Sequence, residues 1–166
     1  MKKILLGVAI LAVLLTGCTA TLETDLEDTD DLRPSPTPQT SAKIYKMGET
    51  TKINGLEIRV VSAKFSQPDE HSPVKNGNVL ALEVAVANNS NQKEFLNSAN
   101  FSLYYKDGTK AEAYFGYRDE IMGELHSGKK LNGKIYFDVK ESDKYELIYS
   151  TVSNDWDVRF EIIPTK

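Results

Sequence analysis

The sequence predicts an all-β domain, a sandwich or a barrel, behind a removable leader and a polar spacer. Two observations point to it. Apolar residues alternate with a period of two in short runs, and turn signals recur about every ten residues between them. A third agrees: no long 3.6-residue apolar stripe follows Ala42.

The leader comes first. Lys2 and Lys3 precede an apolar run over residues 4–15, too short to span a bilayer core of roughly 20 residues. Leu15-Thr16-Gly17-Cys18 then resembles the lipobox of a bacterial lipoprotein signal peptide. The resemblance implies cleavage between Gly17 and Cys18 and a diacylglyceryl thioether on Cys18. It also implies that the acylated cysteine becomes the new N-terminus, held on the extracytoplasmic face of the cell membrane. Two acyl chains anchor stably where one binds reversibly. An ordinary thiol behind an ordinary signal peptide is the alternative.

The chain has 166 residues, with 20 basic and 24 acidic side chains and a net charge of −4. Loss of Lys2 and Lys3 with the leader leaves 18 basic against 24 acidic residues, a net of −6. An acidic surface argues against nucleic acid as a partner. Cys18 is the single cysteine, so no intramolecular disulfide can form and stability must come from an apolar core.

Residues 18–42 read as a disordered tether. Glu23, Asp25, Glu27, Asp28, Asp30 and Asp31 face only Arg33, and Pro34, Pro36 and Pro38 alternate with Ser35 and Thr37. Leu22 and Leu26 leave a frayed helical turn open. As a coil, the segment would hold the domain about 25–30 Å from its anchor.

Residues 43–166 form the domain, expected to be monomeric. Thr50-Thr51-Lys52-Ile53, Asn54-Gly55 and Leu56-Glu57-Ile58-Arg59-Val60 read as a hairpin, because Asn-Gly accepts the positive φ of a tight turn. Residues 67–78, with Pro68, Pro73 and Gly77, read as a loop. Residues 79–87 form a long central strand, with Leu80, Leu82, Val84 and Val86 inward. Asn88-Asn89-Ser90-Asn91 is a polar turn. Phe101, Leu103 and Tyr105 alternate up to Asp107-Gly108, and residues 109–115 return from it. Residues 116–123 are less regular, with short helices open near 95–99 and 118–122. His126-Ser127-Gly128-Lys129 then turns into another period-two run, Leu131, Gly133, Ile135, Phe137 and Val139. Strands over 145–151 and 156–163, joined by Ser153-Asn154-Asp155, finish the chain, with Trp156 expected in the core.

Several of these segments together resemble one family. They are Met47-Gly48-Glu49, Glu83-Val84-Ala85-Val86-Ala87-Asn88-Asn89-Ser90, Asn100-Phe101-Ser102-Leu103 and Leu125-His126-Ser127-Gly128-Lys129. Gly133-Lys134-Ile135-Tyr136-Phe137-Asp138-Val139 and Tyr145-Glu146-Leu147-Ile148-Tyr149 complete the set. The family is a domain of unknown function on lipoproteins of Gram-positive bacteria. It implies an immunoglobulin-like (telokin-like) antiparallel β-sandwich, similar to a secreted mycobacterial immunoprotective antigen, and no catalytic residues.

The chemistry-bearing residues read as those of a chain that is not an enzyme and holds no cofactor or metal. His71, beside Asp69 and Glu70, and His126 read as solvated loop residues without a ligand set. Asp119, Glu120 and Glu124 lack calcium-loop spacing. No Gly-x-Ser-x-Gly or Gly-rich phosphate loop occurs. Aromatic placement is more suggestive: Tyr104, Tyr114 and Tyr117 surround the Asp107-Gly108 turn as a candidate binding face, with cross-strand packing as the alternative. The function expected is a binding module for an envelope protein or ligand. A structural spacer is the second reading, and a hydrolase of envelope material the remote third.

Overall fold

The structure, a computed structural model, describes residues 43–151 and 157–165. The leader, the tether, the 153–155 turn and Trp156 lie outside the described residues. Among the described residues the strands are β1 (Ile44–Lys46), β2 (Thr50–Ile53), β3 (Leu56–Ser66), β4 (Asn78–Asn88), β5 (Glu94–Asn97) and β6 (Phe101–Tyr104), followed by β7 (Glu112–Ala113), β8 (Met122–Leu125), β9 (Lys130–Val139), β10 (Tyr145–Tyr149) and β11 (Val158–Ile162). A 3-10 turn, Ser98–Asn100, falls in one of the two places left open for a helix.

Two sheets make the sandwich. One has the order β1-β11-β10-β6, the other β2-β3-β4-β9-β7, and β5 and β8 pair as a separate ribbon. Among the strands named, β1 with β11 is the parallel pair and the other pairs are antiparallel; single parallel bridges join Lys64 to Thr165 and Glu120 to Lys134. The expected all-β sandwich is therefore what the chain forms.

Alternation builds the core. Leu56, Ile58, Val60 and Ala63 of β3, Leu80, Leu82, Val84 and Val86 of β4, and Ile135, Phe137 and Val139 of β9 are buried on one side. Phe101, Leu103, Tyr145, Leu147, Tyr149, Val158, Phe160 and Ile162 meet them from the other sheet. The Asn-Gly turn behaves as expected: Asn54 and Gly55 have φ of 46° and 79°, the two positive values of a type I′ hairpin. Gly55 has a second reason to lack a side chain, since a Cβ there would stand 2.6 Å from Ser90 Cβ.

Two expectations need correction. The segment after Asp107-Gly108 follows β6 only as far as Ala111, whose N–H donates to Leu103 O. It then crosses to the other sheet, where Glu112 and Ala113 pair with Asp138 and Phe137 of β9. The polar turn at 88–91 also begins with a buried residue. Asn88 is fully enclosed, and its amide works as a four-way clamp. Nδ2 donates to Gln92 O (2.7 Å) and Leu125 O (2.8 Å), and Oδ1 accepts from Ser90 N (2.9 Å) and Ser90 Oγ (2.7 Å). Removal of a buried polar group leaves its partners unpaired, at a cost of about 1–3 kcal/mol for each one stranded. Asn88→Ala is expected to lower the unfolding free energy by about 2–4 kcal/mol in urea titrations. A loss within about 0.5 kcal/mol, the range of a surface substitution, would contradict that clamp.

Candidate binding face

The core seals the inner face of the five-stranded sheet, so its outer face is the one left to meet other molecules. Strand register fixes what stands there, because paired residues project to the same side. Across β3, β4 and β9, the first outer rung is Glu57, Ala87 and Lys130, and the second is Arg59, Ala85 and Asn132. Ser62, Glu83 and Lys134 follow, then Lys64, Ala81 and Tyr136, then Ser66, Val79 and Asp138. A register shift between Val60 and Ser62 keeps the upper half of β3 in phase with this face.

Alanine occupies three of the five outer positions on β4, although it is depleted in strands. Its short side chain lowers the floor between taller neighbours. Two hollows of about 410 and 340 Å³ lie along that floor. Arg59, Ala85, Ala87, Lys130 and Asn132 line the first. Lys64, Glu83, Tyr117, Asp119 and Lys134 line the second. Around them Lys52 holds Glu57 at 3.0 Å, and Lys134 holds Asp119 at 2.8 Å. The Ser62 hydroxyl donates to Glu83 at 3.2 Å. Hydrogen bonds from Lys134 and from Tyr136 keep the Asp119 carboxyl below its usual range.

A tyrosine cluster closes the upper end. Tyr114 and Tyr136 are buried with Val79, and Tyr117 packs on them, its ring centroid 4.4 Å from that of Tyr136 and 5.8 Å from that of Tyr114. Each hydroxyl fastens a loop. Tyr114 Oη donates to Ser72 O (2.7 Å) and accepts from Asp69 N (2.8 Å). Tyr117 Oη donates to Gln67 O, and Tyr136 Oη donates to Asp119 Oδ1 at 2.6 Å. Asp138, also buried, accepts the backbone N–H groups of Lys75 (2.6 Å) and Asn76 (3.0 Å). The loop over residues 67–77 is thereby bound down on the sheet. Gly116 is needed where it stands, since a Cβ there would lie 2.4 Å from Tyr114 Oη.

The sequence reading groups Tyr104, Tyr114 and Tyr117 on one face, and the structure separates them. Tyr104 belongs to β6 in the opposite sheet, across from Glu146. Tyr114 is only 5% exposed, because its ring covers Val79 and its hydroxyl serves the loop. Tyr117 alone of the three borders a hollow on the outer face of the five-stranded sheet. Tyr136 and Asp138 were missed because strict alternation turns them to solvent. The signal for them was Val79, an apolar residue at an outward position just after a loop.

The other candidates stay apart. His71 meets Glu70 at 3.0 Å and His126 meets Glu124 at 3.8 Å, all four exposed. Asp119, Glu120 and Glu124 each serve a different partner: Lys134, Ser98 and Lys93. Among the described residues no group of three His, Cys, Asp or Glu side chains is placed to hold a metal ion. A wider groove of about 590 Å³ lies beside the 105–109 turn, with Lys106, Lys110 and Lys140 balanced by Asp107, Glu112 and Glu141.

Burial gives the tyrosines a pH signature. It pushes Tyr145 and Tyr149 up to about 12, and raises Tyr136, which also donates to Asp119. An unfolded chain loses these protons near its ordinary value of about 10. Their contribution is complete below about pH 10 and is lost as pH rises through the folded values near 12. The melting temperature is expected to fall steeply between about pH 10 and 12, and less so in Tyr149→Phe. A flat profile over that interval would refute the assignment.

A family model described as a domain of unknown function, DUF4352, matches residues 45–158. The uncharacterized lipoprotein YcdA of Bacillus subtilis (strain 168) is 27% identical over 120 residues, which cover 69% of this chain and 34% of the relative. The chain thus spans about a third of the length of the curated relative it matches. The crystal structure of YcdA superposes with a TM-score of 0.62 at 20% identity, over 70% of this chain and 39% of that one. MPT63, a secreted protein from Mycobacterium tuberculosis, superposes at 0.58 and 20% identity, over 75% of this chain and 100% of that one. These likenesses establish the fold, and they agree with the family resemblance read from the sequence.

Proposed function

We propose that this chain, which belongs to the DUF4352 family, is a lipid-anchored extracytoplasmic binding module that does not transform its ligand. In this reading residues 1–17 are the signal peptide, residues 18–42 carry the lipid on Cys18 and act as a tether, and residues 43–166 bind. The likeness to a protein named a lipoprotein supports the anchor. The observation that carries the binding role is the open outer face of the five-stranded sheet. A face built only to be solvated has no need of an alanine floor, two hollows and a loop riveted down beside them. Tyr117 lines the upper hollow and supplies a rigid aromatic edge to this face.

Two measurements test the reading. Cys18→Ala should abolish incorporation of a fatty-acid analogue in cells, since the chain has no second thiol to accept lipid. Equal labelling of both proteins would remove the anchor. A photo-crosslinking side chain placed at Ala85 in intact cells should yield adducts, and one at Tyr104 on the opposite sheet should not. Adducts at Tyr104 alone would move the face to the other sheet, and none at either position would leave the spacer reading.

A further inference from the structure

We infer that the outer trough of the five-stranded sheet binds a linear polyanion of slender backbone, a phosphodiester-linked polyol chain; this names the ligand class of the binding module proposed above and rests on that reading. Cations stand in order on the two strands that flank β4. The first rung carries Lys130, the second Arg59, the third Lys134 and the fourth Lys64. Each of these four rungs has one cation, alternating between β9 and β3, and the fifth rung, Ser66, Val79 and Asp138, has none. Rungs are two residues apart, or about 6.7 Å at the ordinary rise of a strand. The four cationic side chains therefore zigzag over about 20 Å; Lys130, Arg59 and Lys64 stand over alanine, and Lys134, over Glu83, is the one already held by Asp119. A chain with one phosphate per short polyol unit presents its charges at a similar interval.

The state of these side chains agrees. Among the described residues Arg59, Lys64 and Lys130 form no ion pair, so their charges are available to a ligand. Of the three carboxylates lining the hollows, Glu57 is held by Lys52 and Asp119 by Lys134. Glu83, which takes the Ser62 hydroxyl, is the remaining negative charge and stands on the floor of the third rung. The cationic row is notable on a chain whose net charge is −4. The wider groove beside the 105–109 turn lacks this arrangement, because its lysines and carboxylates are equal in number and Lys106 is already held by Asp143. Slenderness follows from the floor: between β3 and β9 there is room over alanine for a thin chain, the nearby Tyr136 ring is buried, and the Tyr117 ring packs against Tyr136 and Tyr114 with its hydroxyl held by Gln67 O, so it offers an edge and not an open stacking face. Single-stranded nucleic acid would call for exposed stacking platforms.

The test uses the full chain and a synthetic octamer of glycerol phosphate, with affinity followed by calorimetry over a series of salt concentrations. Binding should weaken linearly in log–log form with salt. Arg59→Gln with Lys64→Gln should flatten the slope by about 1.4, or about 0.7 per cation removed, and Arg59→Lys with Lys64→Arg should restore it. Glu83→Gln should tighten binding, and Lys110→Gln in the other groove should leave it unchanged. Inorganic phosphate should not compete at matched phosphate concentration. The proposal is overturned if the octamer does not bind, if the double glutamine variant binds with an unchanged slope, or if an octamer of thymidylate binds as tightly. Failure of the octamer while crosslinks persist at Ala85 would reject the ligand class and keep the binding module; loss of both would reject the two together.

Discussion

Strand β4 has a hydrogen-bonded neighbour on each side and a core on one face, and that double constraint organises the domain. Its inner residues must be large and apolar, which Leu80, Leu82, Val84 and Val86 satisfy. Its outer residues must fit between the side chains of β3 and β9, and they range from Val79 under a loop to alanine and a single carboxylate in the open stretch. Pairing with both neighbours fixes the register of three strands at once. A one-residue slip would send the leucines to solvent and the lysines inward. The position of every group on the outer face depends on that register.

Polar groups then hold what alternation alone leaves loose. At one end of β4, Asn88 ties the 88–92 turn to the backbone of Leu125. At the other, Asp138 on β9 and the hydroxyl of Tyr114 tie down the loop that leads into β4. Both use side chains to satisfy backbone groups that no sheet partner reaches, as buried peptide groups require. Together they keep the central strand from being extended or shortened by fraying of its loops.

The inner half of this architecture was legible in the sequence. The Asn54-Gly55 turn has a local cause, and the periods of β3, β4 and β9 expose their core-facing residues directly. What was hidden depends on partners distant in the chain. Alternation cannot say that residues 112–113 abandon β6 for β9, because both sheets offer an edge. Nor can it say that a loop some sixty residues earlier covers both Asp138, through the bonds from Lys75 and Asn76, and Tyr136, through Val74. The row of cations is hidden for the same reason. Arg59 and Lys64 are five apart and read as out of phase until the register shift after Val60 restores them to one face. Tyr104, Tyr114 and Tyr117 are close in sequence around a hairpin yet apart on the surface, because the chain changes sheets just after that hairpin.

The parallel pairing of β1 with β11 has a mechanical meaning. The chain enters the domain through Lys43 directly into β1, whose hydrogen bonds run across the strand to β11. Tension arriving along β1 loads those bonds side by side, in shear, and does not peel them one at a time. Only three residue pairs share the load, so this is a short clasp. Beyond it the turn at Gly48, whose N–H is bonded to Val60 O, passes the load to β2 and its antiparallel partner β3. Tension would thus meet this clasp before it reaches the five-stranded sheet.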